Sequence, residues 1–246
     1  MDYSIQLYTV RHALEADLAA TVARVAEIGF THVEPYNFVA TADRLAAALR
    51  EHGLTAPSGH APLLSADQDE IFAAARTLGI PTVIDPYTPH ERWGTVEGIH
   101  LTAEALNAAA VKGAEYGIRV GYHNHAWEAA LLPDGRTGIE VLADRLNPEV
   151  VLELDTYWAA VGGQDPVALL ARLGDRVRFI HIKDGPVSAD PASQVAVGSG
   201  TLPIWDIIDA ADSLEVGVIE LDDFGGDMFD AVTDSFRFIS AGRIGA

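Results

Sequence analysis

The chain has 246 residues, 36 acidic and 16 basic, and a formal charge of −20; a field of that sign repels polyanions, so nucleic acid is not an expected partner. Hydrophobic residues make up 49% and charged residues 21%, which supplies a folded core and excludes a disordered chain. Cysteine is absent, which removes disulfides, thiolate zinc sites and cysteine nucleophiles together.

Met1-Asp2-Tyr3-Ser4 leads straight into a strand-like segment, and no stretch is apolar for long enough to span a bilayer. The expectation is a soluble cytoplasmic protein with no membrane partner. From the N-terminus, the pattern predicts a strand near 4–8 and a helix near 15–28, closed by Gly29. A strand near 31–35 and a helix near 41–52, opened by Thr41 and closed by Gly53, follow. Next come a strand near 55–60 and a helix near 67–78 between Ser65 and Gly79, then a strand near 81–85 and a helix near 95–116 ending before Gly117. Strands near 118–124 and 150–155 precede helices near 138–146 and 165–173, the second opened by Asp165-Pro166. The last two pairs are 177–182 with 203–212 and 217–221 with 228–241. Polar caps at helix starts and glycines at helix ends carry these boundaries.

Eight strands alternating with eight helices predict a parallel sheet, and about 250 residues is the usual size of a closed (β/α)₈ barrel. A single TIM-barrel domain over 1–246 is therefore expected. The main alternative, a doubly wound open sheet, needs a glycine-rich phosphate turn after an early strand. The first turn reads Tyr8-Thr9-Val10-Arg11-His12 instead. Gly198-Ser199-Gly200 follows no strand directly and reads as a flexible part of the loop after strand seven.

In such barrels the reacting groups sit at the C-terminal ends of the strands. Those ends are Val33-Glu34-Pro35-Tyr36, Ser58-Gly59-His60, Gly121-Tyr122-His123-Asn124-His125, Leu152-Glu153-Leu154-Asp155, His181-Ile182-Lys183-Asp184 and Ile219-Glu220-Leu221-Asp222. Taken singly, a strand-end Asp is more often a cap and a lone His a satisfied core residue. Together, carboxylates and imidazoles after nearly every apolar run imply a shared partner, because unpaired they are costly to bury. A metal ion is one such partner. Side-chain alternation puts Asp155 with Glu153, His181 with Lys183, Glu220 with Asp222 and His123 with His125. Lys183 also reads as a natural ion-pair partner for Glu153, and Trp127, Tyr157 and Trp158 as core aromatics or platforms for a sugar ring.

The blocks Tyr122-His-Asn-His125, Leu152-Glu-Leu-Asp-Thr-Tyr-Trp158, His181-Ile-Lys-Asp184 and Ile219-Glu-Leu-Asp222 resemble the xylose isomerase-like barrels, a superfamily of sugar phosphate isomerases/epimerases that includes inosose dehydratases and keto-sugar 3-epimerases. The resemblance spans nearly the whole chain and is specific for the superfamily, not for a substrate. It implies a divalent metal, manganese or magnesium and in some members cobalt or zinc, with one ligand from each of strands five to eight. Asp155, His181 and Glu220 match three ligand positions. Many relatives have glutamate at the fourth, where this chain reads Tyr-His-Asn-His; His123 takes the position by parity, with His125 and Glu128 as substitutes.

The resemblance implies isomerisation or epimerisation of a small sugar, keto-sugar or inosose through an enediolate. Glu220 is the first candidate base, followed by His125 and Lys183. Glu34, His60, Tyr122, Asn124, Glu128, Glu153, Trp158 and Asp222 are candidate substrate contacts. The missing strand-five glutamate shifts weight toward dehydratase or lyase chemistry and keeps a non-catalytic sugar-binding barrel in view. Abasic-site endonuclease activity, also found in the superfamily, fits poorly with the negative charge. A homodimer is a family expectation.

Overall fold

The computed structural model describes residues 2–243. Eight parallel strands, β1 (Asp2–Gln6), β2 (His32–Glu34), β3 (Gly59–His60), β4 (Thr82–Asp85), β5 (Arg119–His123), β6 (Val151–Asp155), β7 (Val177–Ile182) and β8 (Val216–Ile219), pair in the order β2-β1-β8-β7-β6-β5-β4-β3. The ends of that order meet through bridges between His32 and Thr55 and between Tyr36 and His60. The sheet is thus a nearly closed barrel, and the (β/α)₈ expectation holds.

The surrounding helices are α1 (Arg11–Ala16), α2 (Leu18–Ile28), α3 (Ala42–His52), α4 (Gln68–Leu78), α5 (Val96–Glu115), α6 (Gly138–Arg145), α7 (Thr156–Val161), α8 (Pro166–Leu173), α9 (Ile204–Ala210) and α10 (Met228–Ala241). The barrel helices bury one stripe each: α3 turns Ala42, Leu45, Ala46 and Leu49 inward and leaves Asp43, Arg44 and Arg50 in solvent, the spacing of an amphipathic helix. Gly53 and Gly79 close α3 and α4 with φ of 68° and 72°, a left-handed conformation that a side chain would strain. No helix among the described residues is long and apolar enough to cross a membrane.

The sequence-based boundaries shift where local chemistry overrides the repeat. The predicted 15–28 helix breaks at Asp17, which is extended and accepts the Ala20 backbone N–H as the cap of α2. The third strand shrinks to two paired residues, with Thr55 keeping only a bridge. α7 was absent from the sequence reading; it starts immediately after β6 because the Asp155 carboxylate caps it through the Trp158 N–H at 2.8 Å. The Gly198–Gly200 segment is fastened rather than loose. The buried Asp184 carboxylate accepts backbone N–H groups from Gly185 (2.8 Å), Gly198 (3.0 Å), Gly200 (3.0 Å) and Leu202 (3.1 Å).

Candidate metal centre

Alternation along the strands sorts the barrel interior into layers. Low in the barrel, Ile84, Val151, Phe179, Val216 and Val218 pack as an apolar cluster. Two residues further along, β6 presents Glu153, β7 His181 and β8 leads to Glu220; another two bring Asp155 and Lys183. Register sets His123 opposite Glu153 and Asp155 opposite His181. Glu34 and His60 from β2 and β3 complete the ring, and none of these eight residues is more than 7% exposed.

Two ionic groups stack here. In the upper one, Lys183 Nζ lies 2.9 Å from Asp155 Oδ2, 2.8 Å from Glu220 Oε2 and 2.8 Å from Asp222 Oδ2. Burial alone would lower the lysine pKa, but the Asp155, Asp222 and Glu220 charges outweigh it and raise it well above the ordinary value. Burial likewise pushes Glu220 up, and Lys183 and His181 more than reverse this, holding it well below the carboxylate range. The expected Lys183–Glu153 pair does not form, because Glu153 sits one layer lower among imidazoles. Its Oε2 is 2.6 Å from His60 Nε2, 3.1 Å from His123 Nδ1 and 3.0 Å from His181 Nε2.

His181 joins the two groups. Its Nε2 also lies 2.8 Å from Glu34 Oε1, and its Nδ1 lies 2.6 Å from Glu220 Oε2. Burial opposes its protonation, yet Glu153 and Glu220 on either side raise its pKa well above the usual value. His123 behaves oppositely: burial first, then the nearby His181 charge, push its pKa well below the ordinary one, so it is neutral. Its one proton belongs on Nδ1, facing Glu153.

That assignment leaves His123 Nε2 with a bare lone pair, 3.9 Å from Asp155 Oδ2. No hydrogen bond reaches this buried oxygen; Lys183 Nζ is close to it but off the hydrogen-bonding angle. Asp155 Oδ2 is charge-paired with Lys183 at 2.9 Å, and His123 Nε2, a second electron-pair donor, faces it from the cavity wall, so both atoms are placed to bind a cation. Asp155, His181 and Glu220 each offer a ligand atom within 4.8 Å of the others. Carboxylate oxygen and imidazole nitrogen suit manganese, zinc, cobalt and magnesium, so these residues fit a divalent ion. Of the four buried carboxylates Glu34, Glu153, Asp155 and Glu220, only Asp155 and Glu220 pair with Lys183; Glu34 and Glu153 face imidazoles.

Above the acidic group opens a cavity of about 230 Å³, walled by His60, His123, His125, Trp158, Glu220 and Asp222 and rimmed by Tyr8, Tyr36 and Tyr87. A larger groove of about 830 Å³ lies at the opposite end of the strands, around Ile118, Asn147 and Arg178, and lacks the convergent donors. Trp158 donates its indole N–H to Asp222 at 3.0 Å. His125 stacks on Trp127, ring centres 4.5 Å apart and planes 5° from parallel.

Five expected substrate contacts, Glu34, Tyr122, Asn124, Glu128 and Glu153, do not line the cavity. Tyr122 and Glu128 are fully buried and bonded to each other at 2.8 Å, and Glu128 also accepts the His125 backbone N–H. Asn124 accepts the Asp155 backbone N–H at 2.9 Å and so joins the ends of β5 and β6. These side chains point away from the axis and hold the site's backbone. Glu34, Glu153 and Lys183 lie beneath the cavity floor.

The sequence reading missed the three rim tyrosines and Asp85, because they act through loop geometry rather than through a motif. Asp85, at the end of β4, accepts the N–H groups of Leu64 (2.9 Å) and Tyr87 (3.0 Å) and so fixes the loop carrying Tyr87. Burial raises its pKa from 3.8 to about 6 in spite of those bonds. Between these values the folded chain keeps a proton that the unfolded chain has lost. Stability from this residue is therefore greatest below pH 3.8 and falls as pH rises through about 6. A carboxyl-carbon NMR titration is expected to give a midpoint near 6; an ordinary aspartate midpoint would contradict this picture of the burial.

Comparison with known proteins agrees with the geometry. The description of the xylose isomerase-like TIM barrel matches residues 22–240. An inosose dehydratase of Geobacillus kaustophilus (strain HTA426) is 33% identical over 102 residues, which cover 41% of this chain and 30% of that protein. The matched stretch thus spans about a third of the length of the curated relatives. A sugar phosphate isomerase/epimerase from Parabacteroides distasonis superposes with a TM-score of 0.85 at 22% identity, covering 98% of this chain and 94% of that one. The IOLI protein, solved with a bound zinc atom, superposes at 0.75 with 15% identity, covering 98% and 97%. At these identities the structural likeness speaks for the fold, and the family description, covering most of the barrel, settles the wider relationship: the chain belongs to the xylose isomerase-like TIM barrel family.

Proposed function

We propose that this protein is a divalent-metal-dependent enzyme that rearranges a small polyhydroxylated ketone, a keto-sugar or an inosose, by moving a proton at the carbon next to the carbonyl. The observation that carries this reading is the convergence of Asp155, His181 and Glu220, each offering a ligand atom within 4.8 Å of the others, with His123 Nε2 3.9 Å from Asp155 Oδ2. Asp155, His181, Glu220 and His123 would hold the ion, and an ion there supplies the polarisation of a carbonyl that makes the neighbouring C–H acidic.

The chain's own groups do the rest. Glu220 directs its close contacts through Oε2, which leaves Oε1 to accept a proton from a substrate in the cavity. His125 enters the same cavity from the loop after β5 and is suited to return a proton or to protonate a departing hydroxyl. Asp222 and His60 orient hydroxyls, and Trp158 with the tyrosine rim covers the apolar face of the ring. Returning the proton to carbon gives isomerisation or epimerisation; releasing a β-hydroxyl gives dehydration. The dehydratase outcome is the second reading, favoured by the 33% identity to an inosose dehydratase.

The test incubates metal-loaded and metal-stripped protein with a panel of keto-sugars and inososes in D₂O, following deuterium uptake and enone absorbance. Solvent deuterium or enone is expected with the loaded protein alone, and restored on adding manganese or zinc. Undiminished turnover after stripping would refute the metal-dependent reading.

A further inference from the structure

Glu153 takes no part in the chemistry described above, yet three imidazoles crowd one of its oxygens. One of its oxygens, Oε2, lies within hydrogen-bonding distance of three imidazole nitrogens: His60 Nε2 at 2.6 Å, His181 Nε2 at 3.0 Å and His123 Nδ1 at 3.1 Å. The side chain is 1% exposed, and its other oxygen has no hydrogen-bond partner. The rings pack around it, with His60 stacked on His181 at 5.2 Å and 6° and His123 tilted against His181 at 4.5 Å.

An ionised carboxylate only accepts hydrogen bonds, so each ring nitrogen facing it must carry the proton. A neutral imidazole has one N–H. The nitrogen facing Glu153 therefore fixes which nitrogen is left bare. For His123 the bare atom is Nε2, 3.9 Å from Asp155 Oδ2; for a neutral His181 it is Nδ1, 2.6 Å from Glu220 Oε2. Glu153 thus sets His123, whereas the hydrogen-bonded partner of His181 Nε2 is Glu34 Oε1 at 2.8 Å.

We propose that Glu153 is the positioning residue of His123 in the metal centre: its carboxylate holds His123 Nδ1 and so locks the tautomer that aims His123 Nε2 at the ion, while Glu34, bonded to His181 Nε2 at 2.8 Å, does the same for His181. This rests on the metal reading above for its purpose, though not for its geometry. Glu153 also groups with His60, His123 and His181 as donors within 4.8 Å of one another; with the ion held by Asp155, His181 and Glu220 it stands behind the ligands. It acts through His123, as carboxylates behind metal-bound histidines generally do, where their loss weakens metal affinity about 10–100-fold.

The experiment uses ¹⁵N-histidine-labelled protein and long-range ¹H–¹⁵N correlation spectra, with Zn²⁺ affinity measured by chelator competition, for the wild type and Glu153→Gln. In the wild type, His123 is expected as the Nδ1–H form without metal, and His181 as the Nε2–H form once Zn²⁺ is bound. In Glu153→Gln His123 loses that fixed preference, while His181 keeps its bonds to Glu34 and Glu220, and Zn²⁺ binds about 10–100-fold more weakly. Wild-type His123 protonated at Nε2, or a folded Glu153→Gln protein that binds Zn²⁺ as tightly as wild type, overturns the proposal. Should Glu153→Gln fail to fold, the wild-type tautomers decide alone. Should the wild type take up no Zn²⁺, the proposed function falls, and the His123 tautomer in the metal-free protein still upholds or overturns the role of Glu153.

Discussion

Asp155→Asn and His181→Ala are each expected to lose stoichiometric divalent metal on dialysis and to lower metal affinity by more than about 100-fold, beyond the upper end for residues that only support a ligand. Turnover should fall with the metal. Asparagine is the informative replacement at 155 because the carboxylate has two tasks. Its Oδ1 caps α7 through the Trp158 N–H, whereas Oδ2 faces His123 and carries the charge that pairs with Lys183. Asparagine caps a helix about as well as aspartate, so Asp155→Asn keeps the first task and loses the second. Elemental analysis together with thermal unfolding separates the outcomes. Metal lost with an intact unfolding transition supports the centre; full metal content in either folded variant contradicts it.

Lys183→Met is expected to destabilise the metal-free protein by about 3–5 kcal/mol, the usual result of removing one partner from a buried ionic group. The substitution keeps the length of the side chain and strips its charge, leaving Asp155, Glu220 and Asp222 without their common cation. Glu220 gives the pH dependence. Its folded pKa is depressed below the ordinary 4.5, so its stabilising contribution is present above that value and is lost as pH falls through the folded pKa. The gap between wild type and variant should therefore be full at neutral pH and shrink in acid. A divalent ion bound to the variant offsets part of the loss, by about 2.7 kcal/mol at a hundred times its dissociation constant. Urea unfolding with and without Mn²⁺ measures both effects. A loss under about 1 kcal/mol, typical of an exposed pair, would mean that Lys183 is not the counter-charge of the site.

Much of this centre was legible in the sequence because it depends on periodicity. Once the strands were placed, alternation alone put Asp155 above Glu153 and Lys183 above His181 on inward faces, and the barrel brought Asp155, His181 and Glu220 within 4.8 Å. Parity could not say how high each residue stands relative to its neighbours. That is why Lys183 was matched with Glu153, although the stagger between β6 and β7 carries it up to Asp155 and Glu220. Parity also fails where a strand stops. β5 ends at His123, so Asn124 and Glu128 turn back to brace the backbone while His125 still reaches the cavity. Tyr8, Tyr36 and Tyr87 sit on turns whose path follows from local bonds such as those to Asp85. Asp184 shows the same limit: its four backbone N–H partners tie down a glycine-rich loop that composition alone reads as loose.

The most direct measurement is anomalous diffraction from crystals soaked in Mn²⁺ or Zn²⁺, collected at the metal's absorption edge. The account predicts one strong peak at the C-terminal mouth, about 2.0–2.2 Å from His123 Nε2, His181 Nδ1, an Asp155 oxygen and a Glu220 oxygen, the range usual for such ligands, with Lys183 drawn toward Asp222. No peak at saturating metal, with Lys183 Nζ still seated between Asp155 and Glu220, would contradict it.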